Sequence, residues 1–196
     1  MHNLKSLFFS LITFCYKIRY RRLSVEKNVR IYPGTSIAFL YCNRSGSIII
    51  GENANIGSFN SRYRVGWYYP VRLSIMAPNA HIKIKEGTFV NGVNICAKKS
   101  IIIGKLCHIA SGVQIIDYNG HMIYKLDRKE SDQPQPVFIG NNVWIGLNSI
   151  ILKGTEIGDN SIVAAGSVVK GCFPPFSLIA GNPAKLVRIL DENRFS

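Results

Sequence analysis

The chain has 196 residues, of which 47% are apolar and 18% charged, and its formal net charge is +13. A chain of this length and composition can bury one core but not two full domains, and it is too apolar to be disordered. The positive charge favours polyanionic partners such as anionic lipid, acidic glycan or nucleic acid, without choosing among them.

The first 30 residues form a distinct segment with a net charge of +6. Their apolar residues follow helical spacing and predict an amphipathic helix, which a basic run at 17–22 follows. We expect residues 4–22 either to lie in a membrane interface, with basic side chains on anionic head groups, or to pack on the domain. The apolar residues are Leu4, Leu7, Phe8, Leu11, Ile12 and Cys15.

The five cysteines contain no C-x-x-C pair, so neither a disulfide framework nor a zinc knuckle is indicated. Reduced thiols in a reducing compartment fit this pattern better. We therefore expect a cytoplasmic protein, located at the inner face of the cytoplasmic membrane if its N-terminal segment binds lipid.

From residue 48 onward, aliphatic residues recur every six positions. Neither the two-residue period of a strand nor the 3.6-residue period of a helix produces this spacing. Three six-residue units would make a triangular coil of about 18 residues, and stacked coils would form three parallel sheets around a common core. The main series is Ile139, Ile145, Ile151, Ile157, Val163 and Val169; shorter ones are Ile50 and Ile56, Ile84, Val90 and Cys96, and Ile103, Ile109 and Ile115.

Two segments, 59–80 and 117–136, break this period, and long irregular segments in a regular scaffold often carry function. We thus predict an all-β domain at 31–190 with these two loop insertions, an N-terminal helix and basic segment at 1–30, and a tail at 191–196. The first insertion carries side chains that suit either a sugar acceptor or a trimer interface. They are Arg62, Arg64, Trp67, Tyr68, Tyr69 and Arg72.

The repeats resemble those of the hexapeptide-repeat acyltransferases, above all the maltose, xenobiotic and bacterial polysaccharide O-acetyltransferases. The resemblance is continuous over 136–190 and weaker over 82–120. It implies a left-handed parallel β-helix, a homotrimer with active sites between neighbouring prisms, acetyl-CoA as donor and no metal. The motifs that carry it are Val143-Trp144-Ile145-Gly146, Ala164-Ala165-Gly166-Ser167 and Gly181-Asn182-Pro183-Ala184-Lys185.

The resemblance also implies a histidine that takes the proton from the acceptor hydroxyl. Of the four histidines, His2 lies at the terminus, whereas His81 and His108 are expected at corners of the repeats. His121 lies in the long loop where the sialic acid capsule O-acetyltransferases place their base, and we expect it to be the base here. Asp117 would either hold the other ring nitrogen or form a turn.

Further site residues follow from the same resemblance. Trp144 would lie beside the thioester and the acceptor, with outward packing on the prism as the alternative. Apart from the resemblance, the oxyanion needs a hydrogen-bond donor, and we expect a backbone N–H near Gly146 to supply it. The backbone of Ala165 would face the pantetheine arm of acetyl-CoA.

Three basic residues are expected to bind the nucleotide part of the donor. Lys185 and Arg188 follow the Gly-Asn-Pro-Ala turn and suit the phosphates. Lys170 stands one position before the family's lysine and would replace it.

The resemblance implies an O-acetyltransferase whose acceptor is a hydroxyl of a bacterial cell-surface saccharide, acidic or lipid-linked. Alternatives are an N-acetyltransferase acting on an amino sugar, a zinc enzyme like the γ-class carbonic anhydrases, and a non-catalytic β-helix scaffold. The zinc enzymes need two histidines five residues apart, whereas His81, His108 and His121 are more widely spaced. No nucleic-acid-binding motif accompanies the positive charge.

Overall fold

The computed structural model of the protein describes residues 11–15, 23–31, 35–39, 45–57, 70–122 and 132–194. Residues 4–10 of the predicted helix, the basic run at 17–22, the first half of the first predicted insertion (59–69) and residues 123–131 of the second lie outside these ranges. Five of the aromatic and arginine residues singled out in the first insertion are therefore not described: Arg62, Arg64, Trp67, Tyr68 and Tyr69.

Three parallel sheets form the faces of a triangular prism, and the chain passes through them in turn, so that three short strands make one coil. Sheet 1 consists of β1 (Leu23–Val25), β4 (Ser47–Ile50), β7 (His81–Ile84), β10 (Ser100–Ile103), β13 (Val137–Ile139), β16 (Glu156–Ile157) and β19 (Cys172–Phe173). Sheet 2 consists of β2 (Arg30–Ile31), β5 (Asn55–Ile56), β8 (Phe89–Val90), β11 (His108–Ile109), β14 (Trp144–Ile145), β17 (Ile162–Val163), β20 (Ser177–Gly181) and β21 (Ala184–Ile189). Sheet 3 consists of β3 (Ser36–Phe39), β6 (Arg72–Ile75), β9 (Asn94–Ala97), β12 (Gln114–Ile116), β15 (Ile150–Ile151) and β18 (Val168–Val169).

The six-residue period corresponds to columns of aliphatic side chains inside the prism. All six members of the main series are at most 1% exposed. Ile139 pairs with Ile157, one coil of 18 residues further on. Each such side chain contributes about 1.5–3 kcal/mol when buried, so the columns are the main source of cohesion. In one shorter series the inward residue is Ile95, not Cys96, because β9 alternates with Ile95 facing the core.

The corners of the prism use left-handed backbone conformations, which asparagine adopts more readily than most residues. Asn142 and Asn160 have φ of 52° and 58°, and the Asn142 side chain donates a hydrogen bond of 2.9 Å to the side chain of Asn160 in the next coil. The coils also approach closely at Gly140, where an added Cβ would lie 2.7 Å from the backbone nitrogen of Asp159. These contacts keep successive corners in line.

The prism extends beyond the predicted domain limits. β1 lies within the segment predicted as helix and basic run, and β6 lies within the first predicted insertion. Both were missed because the early coils are longer than 18 residues: Leu23 pairs with Ile48, and Ile37 with Leu73. The six-residue phase is therefore lost between strands, although each strand still alternates inward and outward residues.

Residues 11–15 are helical, and Thr13 is the buried member of this turn. Its hydroxyl donates a hydrogen bond of 3.3 Å to the carbonyl of Val29. Leu11 and Phe14 are 61% and 57% exposed, so the face that packs on the prism is not the predicted apolar face. Within the described ranges, no helix is long and apolar enough to cross a membrane.

The C-terminal end departs from the parallel pattern. β21 turns back and pairs antiparallel with β20 at the edge of sheet 2. A 3-10 turn at Glu192–Arg194 follows, within the predicted tail.

Candidate active site

A pocket of about 330 Å³ lies on the outer face of sheet 2, between neighbouring strands. Three ring side chains form a ladder in it, because His108 pairs with both Phe89 and Trp144. The rings of Phe89 and His108 stack with centroids 6.2 Å apart, and Trp144 is 55% exposed. Ile109 and Ala110 complete the lining. A concave site of this size with ring walls suits a small ligand.

His108 was expected at a corner, and this expectation is wrong because it lies on β11 with its side chain outward. A simple rule would have found the ladder: the residue just before each inward aliphatic residue points outward. Phe89 precedes Val90, His108 precedes Ile109, and Trp144 precedes Ile145 in this way.

Asn91 is a second residue that the sequence did not single out. It is 2% exposed, and its amide oxygen is the one buried side-chain oxygen or nitrogen in the described part of the chain without a hydrogen-bond partner. Its backbone N–H donates 3.1 Å to the carbonyl of Ile109, which lines the pocket. Leaving a buried acceptor unpaired costs about 1–3 kcal/mol, so Asn91 is a weak point of the packing behind the pocket.

The outward row continues beyond the pocket toward the C-terminal end of sheet 2. Trp144 pairs with Ile162, Ile162 with Leu178, and Leu178 with Arg188. Strands lie about 4.8 Å apart, so three steps place Arg188 roughly 14 Å from Trp144. Between the pocket and the guanidinium, the row presents only aliphatic side chains.

Gly146 and Ala165 lie one above the other in successive coils, just after β14 and β17 of sheet 2. A Cβ on Gly146 would lie 2.6 Å from the backbone nitrogen of Ala165, so only glycine permits this approach. The N–H of Gly146 itself donates 2.8 Å to the carbonyl of Val163, and an oxyanion donor near Gly146 stays a prediction. The N–H of Ala165, by contrast, has no acceptor among the residues that the structure describes.

The basic side chains predicted for the donor all lie at the C-terminal end. Lys185 and Arg188 are exposed on β21, and Lys170 is exposed at the corner that follows β18. They are thus accessible to phosphates, and Arg188 is the one that shares the row with Trp144.

His121 is exposed on the second loop, whereas Asp117 at the start of that loop is fully buried. The carboxylate of Asp117 accepts three backbone hydrogen bonds of 2.7 Å, from Lys98, Lys99 and Ser100. Asp117 therefore holds the neighbouring corner of the prism. The pairing of Asp117 with His121 stays a prediction.

The second loop and the pocket lie on different sides of the prism. The loop leaves sheet 3 at β12 and enters sheet 1 at β13, so it emerges at the corner opposite sheet 2. His121 is not part of the pocket lining, which includes Trp144. Therefore, the described part of a single chain does not bring His121 and Trp144 together.

The pocket offers no thiolate nucleophile. Cys107, which precedes His108, is buried, and burial raises the pKa of its thiol to about 11. It stays protonated at neutral pH and donates 3.1 Å to the carbonyl of Gly140. Within the described ranges, no three histidine, cysteine, aspartate or glutamate side chains form a potential metal site.

Comparison with known proteins matches residues 136–170 to the family described as the hexapeptide repeat of succinyl-transferase. The chain is 35% identical over 158 residues to WbbJ of Escherichia coli strain K12, named as an O-acetyl transferase of lipopolysaccharide biosynthesis, and the match covers 76% of this chain and 74% of WbbJ. It is 34% identical over 145 residues to the galactoside O-acetyltransferase of the same strain, covering 73% of this chain and 64% of that protein.

Among solved structures, the N-acyltransferase AntD of Bacillus cereus, in complex with dTDP and 3-hydroxybutyryl-CoA, superposes with a TM-score of 0.68 at 16% identity, over 92% of this chain and 90% of AntD. At that identity the likeness concerns the fold alone. The predicted fold is confirmed as an all-β, left-handed β-helix, whose winding is opposite to the usual right-handed crossover. The chain belongs to the hexapeptide-repeat acyltransferase family and is an acyltransferase.

Proposed function

We propose that the protein transfers the acetyl group of acetyl-CoA to a hydroxyl of a bacterial cell-surface saccharide in capsule, exopolysaccharide or lipopolysaccharide. The observation that carries this proposal is the row on sheet 2, with a ring-lined pocket at one end and Arg188 at the other. The names of the two Escherichia coli relatives support O-acetylation and a saccharide acceptor.

The donor would lie along the row. Its phosphates would meet Arg188, Lys185 and Lys170, and its pantetheine arm would cross the aliphatic part of the row toward Trp144. An extended arm with two amide groups suits this path, since the N–H of Ala165 is available to a carbonyl of the arm. The thioester would then reach the pocket.

The acceptor sugar would stack on the ring ladder. Sugar rings have apolar faces of C–H groups that pack on aromatic side chains, and Phe89, His108 and Trp144 offer such faces.

His121 would act as general base in a direct transfer. The imidazole takes the proton of the acceptor hydroxyl while the hydroxyl oxygen attacks the thioester carbon. The new C–O bond forms, the C–S bond breaks, and the coenzyme A thiolate takes the proton back from the imidazolium. His121 thus ends neutral, and no covalent intermediate forms on the protein.

A homotrimer would complete the site. Because the loop emerges at the corner opposite sheet 2, His121 of one subunit would reach the pocket of its neighbour. This arrangement explains how two residues on opposite sides of one prism can act on one substrate.

Acetyl-CoA binding tests the donor site directly. We expect calorimetry to show micromolar binding that Arg188→Ala weakens about tenfold or more, since charge-assisted contacts contribute about 1.5–3 kcal/mol. Arg30→Ala is the matched control, because Arg30 is an exposed arginine at the opposite end of the same sheet. No binding at millimolar acetyl-CoA, or equal losses in both variants, would contradict the proposal. In products, release of the acetyl group by hydroxylamine would distinguish an ester from an amide.

We also propose that the N-terminal segment docks the enzyme on the cytoplasmic face of the membrane. Leu11 and Phe14 point away from the prism, and the basic run at 17–22 follows them in sequence. Exposed apolar side chains beside cations favour anionic bilayers.

Co-sedimentation with vesicles measures this docking. Leu11→Ser combined with Phe14→Ser is expected to reduce binding to phosphatidylglycerol-containing vesicles by about 100-fold or more, given roughly 1.5–3 kcal/mol for each lost apolar insertion. Leu106→Asn serves as control, since Leu106 is 58% exposed at a corner with φ of 56° that asparagine tolerates. Equal binding of all variants would refute membrane docking.

A further inference from the structure

The base of the loop that carries His121 lies between two corners of the prism. On one side, Asp117 accepts hydrogen bonds from the corner at 98–100. On the other side, the N–H of Gly154 donates 3.2 Å to the carbonyl of Gln135 at the far end of the loop. The two ends of the loop also meet directly, because the N–H of Gln135 donates 2.8 Å to the carbonyl of Asp117.

Lys153 is a buried cation at this point. Only 9% of its side chain is exposed, which is rare for a lysine unless an anion accompanies it. Its ammonium group is hydrogen-bonded to the carboxylate of Asp132 and donates 3.1 Å to the carbonyl of Gln133. Lys153 thus joins the corner after β15 to the returning end of the loop.

Asp132 connects Lys153 to the outgoing end of the loop as well. The side-chain amide of Asn119 donates 3.0 Å to the carboxylate oxygen that binds Lys153. Asn119 stands two residues before His121 in the chain. The hydrogen bond from Lys153 lowers the pKa of Asp132 below its ordinary value of 3.8, so the carboxylate of Asp132 stays ionised at neutral pH.

We propose that Lys153 is a positioning residue: through Asp132 and Asn119, it fixes the loop so that His121 reaches the acceptor. The proposal rests on the proposed role of His121 as base. A displacement of about 1 Å in a catalytic group can cost roughly 100-fold in rate, so a single partly buried ion pair at the loop base can control the chemistry. Because the pair lies at the corner opposite sheet 2 and is not among the residues proposed to hold the donor, we expect donor affinity not to depend on it.

Lys153→Met removes the charge while keeping the length of the side chain, and it tests the proposal with two readouts. We expect kcat to fall about 10- to 100-fold with the KM for acetyl-CoA within about twofold of the unmodified enzyme. We also expect trypsin to cut at Lys125, Arg128 or Lys129, which follow His121 in the sequence, at least about fivefold faster, as detected by mass spectrometry, because losing the contacts among Asn119, Asp132 and Lys153 releases the base of the loop. The second readout requires no activity.

Two further variants serve as controls. Lys105→Met removes an ion pair of 3.0 Å with Glu86 in which both side chains are about half exposed, and it should alter neither readout. Lys153→Met combined with Asp132→Asn leaves no buried charge unpaired, and it should behave like Lys153→Met alone, because both changes remove the same contact.

Unchanged loop cleavage in Lys153→Met would overturn the proposal whatever the activity. Faster cleavage in an enzyme whose kcat is unchanged would overturn it too. In that case, releasing the base of the loop would have no effect on the action of His121. If the unmodified protein transfers no acetyl group, the proposed function fails, and the cleavage rates alone decide whether Lys153 holds the loop.

Discussion

Replacing His121 by alanine is expected to lower kcat by about 10²- to 10⁴-fold, the usual contribution of a positioned general base. Acetyl-CoA affinity should stay close to that of the unmodified enzyme, because the donor row on sheet 2 is untouched. The rate of thiol release from saturating acetyl-CoA, measured with the best acceptor from a panel of hexosides and sialosides, tests this expectation. A kcat within about threefold of the unmodified enzyme would exclude His121 as the base.

His108→Ala is the matched histidine variant. His108 lies in the ring ladder rather than on the loop, so its loss should raise the KM for the acceptor several-fold and leave most of kcat. The two histidines thus separate chemistry from acceptor binding. If His108→Ala were to abolish kcat while His121→Ala did not, the assignments of base and acceptor contact would be reversed.

Asp117→Ala is expected to reduce the free energy of unfolding by about 3–5 kcal/mol. The change leaves three buried or half-buried N–H groups without their carboxylate acceptor, and each such loss costs about 1–3 kcal/mol, with incomplete additivity. In a chain of this size, Tm should fall by about 10 °C. Thermal unfolding at fixed protein concentration measures this, because subunit association would otherwise shift Tm.

Asp159→Ala provides the comparison for Asp117. Asp159 also holds a corner, accepting 2.7 Å from the N–H of Asn141, but it is only half buried. Its loss should cost about 1 kcal/mol or less. A stable Asp117→Ala variant with a greatly reduced kcat would instead favour direct action of Asp117 on His121.

The core columns were predictable from sequence because each six-residue unit has one inward position, and an aliphatic residue occupies it. The period predicted the burial of Ile145 and Val163 without any other information. The same logic could not find β1 or β6, since long corners before residue 81 change the number of residues per coil. Alternation within those strands was the remaining signal.

The site was less predictable, for two physical reasons. The role of Asp117 depends on a corner about one coil earlier, and no local pattern links it to Lys98. The pairing of Lys153 with Asp132 likewise joins a regular corner to an irregular loop, where the period gives no register. Trp144 was identified through family resemblance, and the outward position of Phe89 follows from the inward Val90 after it, whereas the burial of Asn91 emerges only when coils are stacked.

The reversed strand β21 has a consequence for how the molecule ends. A stack of parallel strands leaves unpaired backbone groups at its last coil, and such an edge can recruit further chains. At sheet 2 this edge is occupied by β21, an antiparallel strand that bears exposed Lys185 and Arg188. Like charges there discourage a second chain from adding to the stack. The cations proposed to select the donor thus also protect the enzyme from polymerising through this sheet.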